Sequence, residues 1–529
     1  MTTTHRMTRP WRALGWVLAG LVVLAGCAPP APDAGTPPAI DTPAATDRAT
    51  APAGGGTLRV SAFPISQIDP AFISSDAEVL IANHVYDYLV DIDAENNIAP
   101  RLATEWTVSE DGRVYVFTLA EGVLFHDGTP LSPEDVVWTF DRLRDPAGGL
   151  PTVDLYAGIE AIEVTGEREV TFTLAESNPF FLYDLSDNHA LILREGTTDA
   201  ASVFNGTGPF TVVEYMPEDR LVMRANPDYF GGPPALDGLE IIFFSDQTAA
   251  ADALRGGQID LDMDLSTPLY ESLREVEGIT TVEAATNAFA AVRLRMDREP
   301  GSDPRVMQAL KMATDREAIF QLVQQGYGAI GRDSPIGPVY AEAYSEDTPL
   351  PPYDVEAARA LLAEAGYGDG LSLDLHLPNT LGFPDLAVVL KEQWAMAGVD
   401  VEVLAEPESV YYGEDGWLEV NLGITGWGHR PYPQFYLEVM LACGAIWNEA
   451  HWCDEELDAL IDIAGTTLDD AERAEAYREV QRILIERGPL LVPYFFPRLA
   501  AHREDLVGFA LKPFSGRTDL RGVSLAAAP

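Results

Sequence analysis

The sequence runs to 529 residues, too long for one ordinary domain and long enough for two or three lobes around a large core. Hydrophobic residues make up 47% of it, as in globular proteins, while the formal net charge is −49. So acidic a chain repels nucleic-acid phosphates and disfavours electrostatic docking on anionic lipid, which argues against a DNA- or RNA-binding role. Lysine occurs only at Lys311, Lys391 and Lys512, the remaining positive charge being arginine. Adaptation to a saline environment or a high-GC source explains that pattern better than steering of cationic solutes, since net charge says little about a pocket.

His5, Arg6, Arg9 and Arg12 form a basic start, and Ala13 to Ala25 is an uncharged, mostly apolar run too short to span a bilayer comfortably. It ends in Leu24-Ala25-Gly26-Cys27, small residues before a lone nucleophilic thiol. This segment resembles a bacterial lipobox. The resemblance implies a signal peptide over 1–26, cleavage before Cys27 and acylation there. At about 0.8 kcal/mol per buried methylene, more than one acyl chain anchors stably. The expected location is the periplasmic or cell-surface side of a membrane. Ala28 to Gly56, rich in Pro, Ala, Thr, Asp and Gly, lacks apolar periodicity and reads as a disordered tether.

The folded body should begin with a short strand at Thr57-Leu58-Arg59-Val60. Trp106 to Val108 and Val114 to Leu119 flank Ser109-Glu110-Asp111-Gly112 and predict a β-hairpin. Ser132-Pro133-Glu134-Asp135 opens a helix with Val136, Val137, Phe140 and Leu143 at helical spacing. His126-Asp127-Gly128 reads as a turn, with His126 structural, and Gly206-Thr207-Gly208-Pro209 as a tight turn where the chain crosses between lobes. Strands over Leu239 to Phe244 and Val399 to Leu404 lie between helices. Those helices open at Asp303-Pro304, run from Ala357 to a stop at Gly366, and run from Thr467 to Arg487 before Gly488-Pro489. The plan is α/β, with antiparallel hairpins in the first third.

Enzyme signatures are missing. The residue before each lysine is leucine, which excludes a Gly-Lys phosphate loop, and neither a His-Glu-x-x-His helix nor a Gly-x-Ser-x-Gly elbow occurs. No catalytic residue, cofactor or metal site is expected. Cys443 and Cys453, ten positions apart, could close a disulfide loop in an oxidising compartment, stabilising it by roughly 2–3 kcal/mol. The alternative, a metal pair with His451, has poorer spacing.

Seven segments, in order, carry a family resemblance. They are Leu102-Ala103-Thr104-Glu105-Trp106 with Asp111-Gly112 and Tyr115 to Leu119; Phe125-His126-Asp127-Gly128-Thr129-Pro130-Leu131; Gly206 to Phe210 with Asn226-Pro227-Asp228-Tyr229-Phe230; Leu254-Arg255-Gly256-Gly257-Gln258-Ile259-Asp260; Asp303-Pro304-Arg305-Val306 through Asp315-Arg316; Ala357 to Gly366; and Gly426-Trp427. From about Thr57 to its end the chain resembles the large extracytoplasmic solute-binding proteins of the peptide/nickel importer family (family 5). The resemblance implies a two-lobed clamshell of the periplasmic-binding-protein type with an added domain. Lobe I would be assembled from 57–88, 178–280 and 496–529, an inserted domain II would cover 89–177, and lobe III would cover 281–495.

The resemblance also implies a function. A small solute is captured by closure of the lobes and handed to the permease and ATPase subunits of an ABC importer, by a monomer that is not an enzyme. A ligand-binding module feeding a sensor uses the same clamshell, and a secreted hydrolase would need a nucleophile or metal set that is not found. In the family the pair Gly426-Trp427 lies beside the ligand cavity. Peptide-binding relatives carry an acidic residue three positions past the tryptophan, where it meets the peptide amino terminus; here that position is Arg430. A guanidinium would fork onto a carboxylate, phosphate or sulfonate, or else pair with a nearby acidic side chain. The candidate ligand-binding residues are Trp427, His429, Arg430 and Tyr432. A Cys443–Cys453 bond would stiffen a loop on the cavity side or at the surface.

Overall fold

The computed structural model describes residues 55–380, 382–413 and 416–526; the expected leader, Cys27 and nearly all of the tether lie outside them. Alternating side chains build the first sheet. Ala103–Val108 and Val114–Leu119 pair antiparallel as the expected hairpin, Trp106 opposite Phe117 and Val108 opposite Tyr115. The second strand buries every other residue, Tyr115, Phe117 and Leu119. Glu169–Leu174 and Ile159–Gly166 complete four strands. The helix Pro133–Arg144 covers this sheet, and its Phe140 meets Phe172 edge-on at 5.2 Å between ring centroids. The helix starts as its sequence predicts: the Asp135 carboxylate accepts the Ser132 backbone N–H at 2.7 Å, and Val136, Phe140 and Leu143 are buried.

A twelve-stranded sheet runs through the rest of the described residues. Its order is Val399–Glu406, Leu371–Pro378, Leu422–Trp427, Ile279–Leu294, Tyr494–Arg503, Leu261–Asp262, Thr57–Ala62, Gly238–Phe243, Arg220–Ala225 and Phe210–Met216. Two short strands, Ala329–Ile330 and Leu490–Leu491, pair off this path. Leu371–Pro378 and Val399–Glu406 are parallel neighbours joined through the helix Phe383–Met396, and Thr57–Ala62 lies parallel to Gly238–Phe243. Parallel neighbours need such crossovers, so the α/β plan read from the sequence follows.

Two strands belong to both lobes. Residues Ile279 to Ala285 pair with Pro497 to Arg503, while Phe289 to Leu294 pair with Leu422–Trp427 on the far side. Between these stretches the register breaks, at Ala285/Phe289. An irregularity of this kind bends a strand and ends its regular pairing, which makes Thr286-Asn287-Ala288 the natural flexure between the lobes. The cores divide accordingly. One cluster unites the four-stranded sheet with the strands around Thr57–Ala62, and two others, centred on Trp394 and on Tyr436, fill the second lobe.

The end of the chain returns to the first lobe through a buried charge cluster. Arg517 donates to Asp91 at 2.6 Å, and Arg101 bridges Asp87 at 2.5 Å and Asp91 at 2.7 Å. Lys512 donates to the Ile92 carbonyl at 2.6 Å.

Two local expectations change. The helix predicted from Thr467 starts at Asp470, because Asp469 accepts the backbone N–H groups of Ala471 and Glu472 and so caps it; Thr467 ends the preceding helix Glu455–Thr466. Gly206-Thr207-Gly208 is a close backbone approach as well as a bend: a Cβ on Gly206 would lie 2.1 Å from the Val85 carbonyl oxygen. His126 is structural as expected, its Nε2 2.9 Å from the Gly208 carbonyl.

Candidate ligand-binding site

Leu422–Trp427 leaves the sheet at the level of the register break, Trp427 standing opposite Phe289. The next residues therefore emerge where the lobes meet. Trp427 itself is only 8% exposed. Its ring lies nearly parallel to Phe289 and edge-on to Tyr436 and Trp447, at centroid distances of 6.4, 6.1 and 5.9 Å. Its indole Nε1 donates to Glu449 at 3.1 Å. Glu449 is buried and also accepts from Arg293 at 3.0 Å and Thr425 at 2.6 Å. Burial pushes its carboxyl up, while Arg293 and the two hydrogen bonds oppose the shift. Trp427 is thus a wall oriented from behind.

Glu449 and Trp447 lie on the loop closed by Cys443 and Cys453, which are bonded, with their Cα atoms 4.7 Å apart. The metal-pair alternative falls away, and the described residues contain no group of three or more His, Cys, Asp or Glu side chains placed to hold a metal ion.

His429 faces the flexure. Its Nδ1 accepts the backbone N–H of Asn287 at 2.9 Å, so the neutral ring carries its proton on Nε2. Burial, then the charges of Arg430 and Arg498, push this histidine down to about 3, so it stays neutral at ordinary pH. Tyr340 stacks on the ring at 6.4 Å, and Phe514 packs edge-on at 4.4 Å from the chain's final segment. Asn287 is held in turn: its side chain donates to the Pro335 carbonyl at 2.7 Å and accepts from Gly337 at 2.8 Å.

Arg430 lies over Phe435, 4.7 Å from its centroid, and donates to the His429 carbonyl at 3.1 Å. Among the described residues no carboxylate comes within 4.0 Å of its guanidinium, so the pairing alternative is unmet in a chain with 83 Asp and Glu. Tyr340 donates its hydroxyl to the Arg430 carbonyl at 2.6 Å, fixing the backbone.

Tyr432 reaches the opposite lobe. It stacks on Phe180 at 4.4 Å with the planes 10° apart, and its hydroxyl is 3.4 Å from Asp184. Asp184 accepts from Asn178 at 2.7 Å. Burial, with Asp187 and Glu438 adding to it, pushes the Asp184 carboxyl up to about 7. Arg473 lies over the other ring neighbour, 5.4 Å from Phe180.

Trp427, His429, Arg430 and Tyr432 are therefore brought to one seam, with different contacts: Trp427 packs, His429 touches the flexure, Arg430 has no carboxylate partner among the described residues and Tyr432 bridges. Sequence reading missed Phe180, Asp184, Asn287, Tyr340, Arg498 and Phe514. All lie far along the chain from the Gly426-Trp427 pair and outside the motifs; only the break in the apolar run at Thr286-Asn287 could have flagged one of them.

Residues 97–448 match the bacterial extracellular solute-binding proteins, family 5 (middle region). The chain is 29% identical to di/tripeptide-binding protein 2 of Pseudomonas aeruginosa, over 88% of this chain and 90% of that protein. It is 27% identical to heme-binding protein A of Haemophilus influenzae, over 84% and 87%. The solved structure of the oligopeptide-binding protein AppA from Bacillus subtilis, in complex with a nonapeptide, aligns with a TM-score of 0.71 at 25% identity, covering 90% of this chain and all of that one.

Proposed function

This chain belongs to the bacterial extracellular solute-binding proteins, family 5, and we propose that it captures a small peptide or peptide-like compound bearing an anionic group by closure of its two lobes. Members of the family bind solutes for ABC importers and are not enzymes. The open cleft admits solute, the lobes turn about Thr286-Asn287-Ala288, and ligand favours the closed form because only that form contacts it from both sides. The permease reads the closed shape and the ATPase supplies the work. We divide the body into lobe I at 57–88, 178–280 and 496–529, domain II at 89–177 and lobe III at 281–495, the stretch up to Ala285 pairing on the lobe I side of the shared sheet. The working unit is a monomer.

The observation that carries the ligand class is Arg430, a guanidinium at the seam with no carboxylate partner among the described residues. A fork of N–H donors left open between two lobes suits a carboxylate, phosphate or sulfonate. Native mass spectrometry of the purified chain tests the reading. A co-purifying acid of low mass, lost in Arg430→Ala while folding is unchanged, supports it; a cationic or neutral cargo held equally by Arg430→Ala refutes the anion class.

Cys27 carries the lipid that keeps the protein at the membrane and raises its encounter rate with the permease. No helix among the described residues is long and apolar enough to cross a membrane. Metabolic labelling with an alkyne fatty acid should tag the wild type and leave Cys27→Ala unlabelled; equal labelling of both would place the anchor elsewhere.

A further inference from the structure

Elements other than the two crossing strands also join the lobes. The segment after Glu169–Leu174 is pinned to the four-stranded sheet: Tyr115 donates its hydroxyl to the Asn178 carbonyl at 2.9 Å, and Phe181 packs on Tyr115 and Phe172 at centroid distances of 4.8 and 5.6 Å. Asn178 then fixes the next aromatic, its Oδ1 accepting the Phe180 backbone N–H at 2.9 Å. Phe181 fills the first-lobe core, whereas Phe180 meets the second lobe. Tyr432 stacks on its ring at 4.4 Å, and the Arg473 guanidinium lies 5.4 Å from its centroid. Tyr183 brings a further ring to Tyr432 at 5.4 Å. Tyr432 stands between Pro431 and Pro433, which restrict the backbone on either side, so less conformational freedom is lost when the stack forms. A separate contact lies at the tip of the Trp106/Phe117 hairpin. Leu468, in the link between Glu455–Thr466 and Asp470–Arg487, sits on Gly112, where a Cβ would come within 2.9 Å of Leu468 Cδ2.

We propose that these contacts form a clasp by which the four-stranded sheet holds the lobes together without ligand. Every partner in it is a protein group: Phe180, Tyr183 and Gly112 from the first lobe, Tyr432, Arg473 and Leu468 from the second. An aromatic stack, a cation over a ring and an apolar contact all favour the closed form over the open one, in which these groups face water. The free protein is therefore closed for part of the time, and a bound solute leaves more slowly because the clasp must open first. The four-stranded sheet contributes to affinity in this way through Phe180 and the hairpin tip. This rests on the closure reading above, in which the lobes turn about Thr286-Asn287-Ala288.

Small-angle X-ray scattering of the full chain tests it, with the protein free and with a mixed dipeptide and tripeptide library. Phe180→Ala removes the stack. Leu468→Ser removes the hairpin contact at a position that is 45% exposed, so the second-lobe core stays intact. Both variants should keep the wild-type circular dichroism and show a larger radius of gyration than the wild type when free. Phe180→Ala should lower the closed-to-open ratio about 3- to 10-fold, as expected for one lost aromatic stack. The peptide library should bring both variants back to the wild-type radius. Free variants with the radius of the free wild type would overturn the clasp, and peptides that still compact all three proteins would leave the closure reading in place. Free variants more expanded than the wild type, with none of the three responding to peptides, would uphold the clasp and remove the peptide reading.

Discussion

At the scale of single residues, one group of buried charges in this acidic chain is closely matched. Asp87, Asp91, Arg101 and Arg517 are buried and joined by short hydrogen bonds, with the half-buried Lys512 3.7 Å from Asp91. Arg517, Arg101 and Lys512 hold the Asp91 carboxyl well below the usual carboxylate range in spite of the opposing effect of burial. Such a group favours the fold above its unfolded value of about 4 and loses that contribution only as pH falls below it. Deleting one partner leaves the others charged and unpaired. Arg101→Met should therefore destabilise the protein by about 3–5 kcal/mol in urea unfolding at neutral pH. A loss under 1 kcal/mol would mean that water reaches the cluster. The seam is the contrast: Arg430 there has no carboxylate partner among the described residues, and the buried Nε2 of His429 has no hydrogen-bond partner among them.

At the scale of elements, the Cys443–Cys453 loop acts through what it carries. Trp447 packs on Trp427, and Glu449 anchors the Trp427 indole, Thr425 and Arg293 together. The loop thus sets the wall of the candidate site from behind. Replacing both cysteines by serine should lower stability by roughly 2–3 kcal/mol through the freed loop. It should also weaken ligand binding several-fold, because Trp427 loses its fixed orientation. Melting in the presence and absence of dithiothreitol checks the first effect, and titration the second. An unchanged melting point on reduction would show that Glu449 and the aromatic stack hold the loop unaided. The flexure is the other decisive element. Its register break at Ala285/Phe289 interrupts one strand of a continuous sheet, and His429 and Tyr436 both contact Asn287 there, Tyr436 at 3.4 Å from its carbonyl.

At the scale of the molecule, Asp184 lies half-buried where Tyr432 reaches across from the second lobe. Tyr432 and Glu438 face it from the second lobe, with Asn178 and Asp187 beside it, Tyr115 and Tyr156 behind it and Arg473 over Phe180. Its carboxyl sits at about 7 in this arrangement, against an ordinary value near 4 when water reaches it. Parting the Tyr432 contact returns this carboxyl to water, so bringing the lobes together takes up a proton between those limits. Ligand affinity should then rise as pH falls from about 8 to about 5, and calorimetry in buffers of different ionisation enthalpy should report proton uptake near pH 6. Asp184→Asn should flatten that dependence. Affinity that falls on acidification would show that Asp184 remains ionised in the closed form.

The elements were legible in the sequence where local physics decides them. The Trp106/Phe117 hairpin, the Ser132-Pro133 helix start and the glycine–proline stop after Arg487 depend on neighbours a few positions apart. The ordered motifs pointed to the family, and the Gly426-Trp427 pair led to the four candidate residues, whose share in binding awaits the experiments above. What only the tertiary structure decided is which distant groups meet. Asp184 reaches Tyr432 across 248 positions, and Phe514 packs on His429 from the chain's last segment. Whether Arg430 finds a carboxylate among 83 is a question of geometry that composition cannot answer. Periodicity reports which face of an element is buried; it carries no information about the partner that buries it, because that choice is made by the packing of lobes assembled from separated stretches of chain.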